Sequence, residues 1–173
     1  DRKGIVVEEP MVVPGGYMFR GNPYDDATVP AKWKALRAAI ARKGVKEVVE
    51  EAAYTWFNRL MAIRILAQNR YDLPQLEYAE GADLLPLLLQ RARRGQYDFL
   101  NKAEQQRLQQ VLLDYEKDTE AFGILLIGYC HSHTLLNNVF GGIDDYTELL
   151  LPDDILSESG FVHLLNTTDA ITE

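Results

Sequence analysis

The sequence is most informative in what it lacks. A single cysteine, Cys130, among 173 residues excludes an internal disulfide framework and fits a reducing compartment. No run approaches eighteen uninterrupted apolar residues, and no basic stretch at the start precedes an apolar run with a small-residue cleavage site. Neither membrane insertion nor secretion is expected, and the expected location is cytoplasmic. No Lys or Arg follows Lys117, whereas ten acids do, so the preceding part carries sixteen acids against all eighteen bases. A formal charge of -8 with that asymmetry is wrong for a domain that grips DNA over a wide surface, because such affinity comes from neutralised phosphates. Only a local DNA contact fits. Internal repeats and low-complexity tracts are also missing, yet 47% of the residues are hydrophobic, enough for one domain with its own core.

The opening stretch IVVEEPMVVPGGYMFRGNPYDD is rich in Val, Pro and Gly without a helical period, and PGG at 14–16 separates two short apolar runs as a turn does. It predicts an irregular extended arm over residues 1–28, which a hairpin would also fit. A helix is expected from near Pro30, whose fixed φ suits a first turn. Trp33, Leu36 and Ile40 form its apolar stripe, Gly44 interrupts it, and Lys32, Lys34, Arg37, Arg42 and Lys43 surround it. Val45, Val48, Val49, Ala52, Trp56, Leu60 and Ile63 then give a long helix to about Asn69 a broad apolar face. Asp83 is the expected cap of a short helix, LLPLLLQRARR, closed by Gly95. Asn101 and Glu104 have capping-box spacing before a helix carrying Leu108, Val111, Leu112 and Tyr115. AFGILLIGYCHSHTLLNNVF reads as one buried helix over about 120–140, and GFVHLLN as one helical turn or two. The fold class is therefore mainly α, a single helical domain over residues 29–173 behind the arm.

Within the long helix, YTWFNRLMAIRILAQN at 54–69 carries Arg59 and Arg64 with no acid three or four positions from either. At about 100° per residue, Arg59 falls beside Val48 and Ala52, and Arg64 between Ala53 and Phe57, so both border the buried face. An unpaired guanidinium there costs several kcal/mol, on the order of a whole domain's margin.

Few residues invite a chemical reading. GNPYDD at 21–26 lacks the second proline of the Asn-Pro-Pro-Tyr loop with which amino-methyltransferases hold a flipped base, and reads as a turn. Cys130, His131 and His133 combine thiol and imidazole, but only Cys130 and His133 share a helical face, so a core cysteine flanked by partly exposed histidines is expected and no metal site is assigned. Arg91, Arg93 and Arg94 cluster at a helix carboxy-terminus, where they complement the dipole or touch phosphates. Asp144/Asp145 and Asp153/Asp154 lack calcium-loop spacing and fit caps or ion pairs. A Gly-rich phosphate loop, a Ser-centred elbow and a kinase signature are all missing. No catalytic residue is assigned.

Two stretches, AAYTWFNRLMAIRILAQNRY at 52–71 and IDDYTELLLPDDIL at 143–156, with FGILLIGYCHSH between them, together resemble the amino-terminal region of the large adenine-specific DNA methyltransferases of bacterial phage-defence systems. The BREX PglX and restriction-modification enzymes are of this type, and the match spans Glu51 to Leu156. The resemblance implies a Rossmann-like catalytic domain elsewhere in the same polypeptide, with S-adenosylmethionine as its cofactor, reached through a Phe-x-Gly-x-Gly-type loop and a full Asn-Pro-Pro-Tyr loop. Neither loop occurs here. It also implies that this chain is a helical accessory segment without cofactor of its own, whose partners are the catalytic domain, DNA through the parent protein, and other defence-system proteins. The alternative is a stand-alone helical protein-interaction module. If the two stretches meet in space, Asp144, Asp145 or Glu148 becomes the expected source of the carboxylates that Arg59 and Arg64 lack locally, in an arginine-carboxylate fork. Snorkelling stems with wet heads, or an external phosphate or domain, are the other two ways to satisfy them. For DNA, the candidate residues are Lys32, Lys34, Arg37, Arg42, Lys43, Arg91, Arg93 and Arg94.

Overall fold

A computed structural model describes residues 8–19, 21–24, 28–79, 84–140 and 145–168. Three short strands open the chain: β1 (Met11–Val13), β2 (Gly16–Phe19) and β3 (Asn22–Tyr24), antiparallel in that order. Pro14 and Gly15 of the PGG segment form the turn of the first hairpin, which pairs Met11 with Met18 and Val13 with Gly16. GNPY, expected as a turn within the extended arm, supplies the strand that pairs Phe19 with Asn22 and Tyr17 with Tyr24. Proline is tolerated there because β3 is an edge strand, where a missing N–H breaks no ladder on the outer side.

The other regular elements among the described residues are helical. Helices α1 (Thr28–Lys43) and α2 (Val45–Gln68) are divided by Gly44 at φ 87°, a left-handed backbone that a side chain would strain. Helix α3 (Leu87–Arg93) ends in a Schellman motif, with Gly95 N–H donating to Ala92 O and Gln96 N–H to Arg91 O. Its first residue follows Pro86, so the helix is shorter at its start than the run LLPLLLQRARR predicts, and Asp83 lies outside the described residues. Helix α4 (Lys102–Val111) carries both halves of the capping box: Glu104 N–H donates to Asn101 Oδ1 and Asn101 N–H to Glu104 Oε2, each at 2.9 Å. Asn101→Ala is expected to cost about 1 kcal/mol in urea denaturation, in line with other N-cap deletions; a change too small to resolve would show that the N-terminus of α4 contributes nothing. Tyr115 leaves the apolar face assigned to α4. It sits 74% exposed at the start of a 3₁₀ turn, Tyr115–Lys117.

The expected helix over 120–140 is two helices, α5 (Asp118–Ser132) and α6 (Thr134–Phe140). His133 makes the break. Its backbone is extended (ψ 117°), its Nδ1 accepts from Leu136 N–H at 3.4 Å and its Nε2 faces Asp72 Oδ2 at 3.3 Å. One ring therefore caps α6 and ties α5 to the loop after α2. A 3₁₀ segment (Asp145–Leu150) and α7 (Phe161–Thr167) are the last described elements.

The main core joins α2, α3, α4, α5 and α7 through Trp56, Leu60, Ile63, Leu88, Leu108, Phe122, Leu126 and Leu165. Each such leucine contributes about 1.5–3 kcal/mol of burial before entropy is counted. A smaller cluster of Leu36, Ala39, Val48 and Tyr146 fastens α1 to α2 and the 3₁₀ segment. Among the described residues no helix is long and apolar enough to cross a membrane.

Candidate functional site

The 3₁₀ segment lies against the middle of α2, which brings the stretches at 52–71 and 143–156 together. Trp56 Nε1–H donates to Thr147 O at 2.9 Å within the buried interior. One turn further along α2, Arg59 Nη1 lies 3.8 Å from Glu148 Oε1, with both side chains only 3% exposed. Glu148 also accepts from Lys32 Nζ on α1 and from His131 Nε2 on α5, each at 2.6 Å. One buried carboxylate thus gathers cations from three helices.

The contact to Arg59 is not the fork that carboxylate and guanidinium geometry permits. At 3.8 Å it is too long for a hydrogen bond, and Arg59 Nε and Nη1 find no hydrogen-bond partner among the described residues. The guanidinium is compensated by aromatic faces as well, lying 5.1 Å from the Trp56 ring centroid and 5.9 Å from that of Phe140, an arrangement favourable by about 0.5–2 kcal/mol. Arg64 is buried too, and its Nε has no hydrogen-bond partner among the described residues. Glu148 serves Arg59 and not Arg64. Asp144 and the side chain of Asp145 lie outside the described residues.

Electrostatics at this node have a clear sign. Burial pushes the Glu148 carboxyl up, but hydrogen bonds and charge from His131 and Lys32 more than offset that and hold it below its ordinary 4.5. The hydrogen bond to Glu148 raises His131 above 6.5, against burial and the nearby Lys32 charge, with Glu104 adding a smaller push upward. Stability drawn from Glu148 is therefore present above pH 4.5 and lost as pH falls through the depressed folded value. Stability drawn from His131 is fully present below pH 6.5 and lost as pH rises through the raised folded value. His131→Gln should accordingly flatten the decline in urea midpoint above pH 6.5 and leave the acid limb in place. An unchanged alkaline slope would remove His131 from the node.

The node forms part of the wall of a cleft of about 330 Å3 between the small sheet, α1, α4, α5 and the 3₁₀ segment, which Glu104, Arg107 and Glu120 also line. Burial raises the Glu120 carboxyl, partly countered by Lys117 and Arg107. Among the described residues no group of three or more His, Cys, Asp or Glu is placed to hold a metal. Cys130 is buried and its thiol is pushed up to about 12, mainly by that burial, which makes it a core side chain and a poor nucleophile. His131 and His133 diverge from it to Glu148 and Asp72.

The eight basic candidates for DNA contact separate into two groups. Lys32 is bound to Glu148, and Lys43 to Glu51 at 2.7 Å. Arg91 donates to Gln75 Oε1 at 2.6 Å and to Pro74 O, while Arg93 pairs with Asp118 and stacks 4.3 Å from the Tyr115 centroid. Lys34, Arg37, Arg42 and Arg94 are exposed, with Arg37 over the Trp33 ring. Lys32 and His131 each meet Glu148 through tertiary packing, Lys32 across 116 residues, so neither contact is visible in a local window of sequence.

No protein-family model matches this chain, and no solved structure does. The chain is similar to the adenine-specific methyltransferase BrxX of Escherichia coli O9:H4 (strain HS), at 28% identity over 160 residues that make up 90% of this chain and 13% of that protein. The chain that carries the paired stretches at 52–71 and 143–156 is thus similar in sequence to one segment of a much longer adenine-specific methyltransferase of the BREX type.

Proposed function

We propose that residues 29–173 act as a non-catalytic amino-terminal domain of an adenine-specific, S-adenosylmethionine-dependent DNA methyltransferase in phage defence or restriction-modification, and that they dock its catalytic domain. The observation that carries this reading is the similarity to a methyltransferase of which the matched part is 13%. The packing of Trp56 on Thr147 and Arg59 on Glu148 adds a reason for the two family-like stretches to occur together. Docking is favoured over DNA orientation because four of the eight candidate cations are engaged internally and the chain carries a net charge of -8.

Co-sedimentation of this chain with the separately expressed remainder of the parent polypeptide tests the reading, and a stoichiometric complex is expected. DNA orientation is the second reading, favoured by the exposed Lys34, Arg37 and Arg42 on α1. It predicts no such complex and a duplex affinity that falls on the order of a hundredfold between about 50 and 200 mM salt if four phosphates are met. The genomic reading frame discriminates the stand-alone module: continuation into a cofactor loop and an Asn-Pro-Pro-Tyr loop supports the enzyme segment, and its absence ends that assignment.

A further inference from the structure

Between α2 and the loop leading into α7 runs a groove of about 540 Å3, in the size range of clefts that take a ligand or a pair of anchoring side chains. Trp56 and Leu60 form its floor, Tyr54 and Phe57 line one wall, and Ile155 and Phe161 line the other. Tyr54 is 72% and Phe57 48% exposed, although Phe57 already meets Phe161 edge-on with centroids 5.4 Å apart. A contiguous aromatic patch with a polar rim differs from scattered surface apolars and marks an interaction surface.

The rim indicates what kind of partner fits. Its ionisable groups are Glu50 and Asp154, and exposed Glu158 lies in the same loop. No Lys or Arg follows Lys117, so the wall formed by residues 152–161 has no base of its own. On the α2 side the neighbouring base, Lys46, reaches Glu50 only at 3.8 Å with both ends in solvent, too weakly to neutralise it. The groove therefore offers an apolar bed between solvent-exposed acids, with Lys46 pairing only loosely with Glu50.

We propose that this groove docks a basic amphipathic helix of a partner protein. Two large apolar side chains about one turn apart would seat against Tyr54, Phe57 and Phe161, with flanking Lys or Arg over Glu50 and Asp154. Anchors at helical spacing laid into an apolar groove are an established recognition mode, and the rim supplies charge complementarity. A neutral apolar ligand would leave the acids unused, and a second copy would bring a body of charge -8 onto an acidic rim. This inference goes beyond the methyltransferase reading and does not depend on it, since it requires only the groove.

The full chain, titrated calorimetrically and by Trp56 fluorescence, should distinguish two synthetic peptides with identical Leu and Phe anchors and either Lys or Glu at the flanks. The Lys peptide is expected to bind saturably and about tenfold tighter or more. Combined Glu50→Lys and Asp154→Lys, both at exposed positions, should reverse the preference, and Phe57→Asp should abolish saturable binding. Equal affinities, or a preference that survives charge reversal, would overturn the proposal. So would a concentration-dependent dimer that Phe57→Asp dissolves, because the groove would then belong to a second copy.

Discussion

Glu148→Gln is expected to lower the unfolding free energy by about 3–5 kcal/mol, the cost typical of removing one partner from a buried ion pair. For a chain of this size that corresponds to a fall in Tm of roughly 6–20 °C. The amide keeps the shape of the carboxylate but not its charge, so Lys32, Arg59 and a protonated His131 lose their common anion. Arg59 decides the size of the effect. Lys32 and His131 are partly exposed and water can compensate them, whereas Arg59 at 3% exposure keeps, among the described residues, the Trp56 and Phe140 ring faces. Arg59→Met on the Glu148→Gln background should therefore restore part of the loss, and the double-mutant cycle should give a coupling on the order of 1 kcal/mol or more. A single-variant loss under about 1 kcal/mol would mean that solvent reaches the node and that the helices are held by their apolar contacts alone.

The same residues show where the sequence was legible. Helix α2 could be read because its apolar face persists over 24 residues and Gly44 marks its start. The capping box at Asn101 and Glu104 and the stop at Gly95 are local, and local signals survive tertiary context. The break at His133 was not legible, because the ring that caps α6 is also oriented by Asp72 in a distant loop. Nor could β3 be read from GNPY, a turn-rich tetrapeptide that becomes a strand only because β2 offers it an edge. At the node, the lack of nearby acids around Arg59 was visible as a local deficit. The identity and geometry of what answers it, a carboxylate shared with Lys32 and His131 and two aromatic rings, depend on packing that no local window contains. The basic set shows the converse. Proximity in sequence put eight cations on one list, but Glu51, Gln75, Asp118 and Glu148 had prior hold of four of them.

Gly160→Ala should destabilise the chain by about 3 kcal/mol or more, at or beyond the upper end of ordinary overpacking. The reason is space and not backbone conformation. Gly160 has φ -77° and ψ 158°, which any residue adopts. A Cβ there, however, would lie 2.2 Å from Asp154 O, 2.5 Å from Ile155 O and 2.7 Å from Ile155 C. These are backbone atoms and cannot rotate away as a side-chain tip can. Relief requires the turn to open, with loss of Gly160 N–H to Ser157 O and Val162 N–H to Ile155 O. Helix α7 would lift with it, withdrawing Val162 and Leu165 from the core and Asn166 from Leu76 O and Tyr78 N–H. Gly95→Ala is the control of opposite character: its φ of +85° strains a side chain, but nothing lies within 4 Å, so about 1 kcal/mol is expected. Thermal melts of the two variants should therefore differ by roughly 4–8 °C, with Gly160→Ala the lower. Equal melts would mean that α7 rides on a turn loose enough to absorb a methyl group, and the wall it gives to the apolar groove would then be mobile as well.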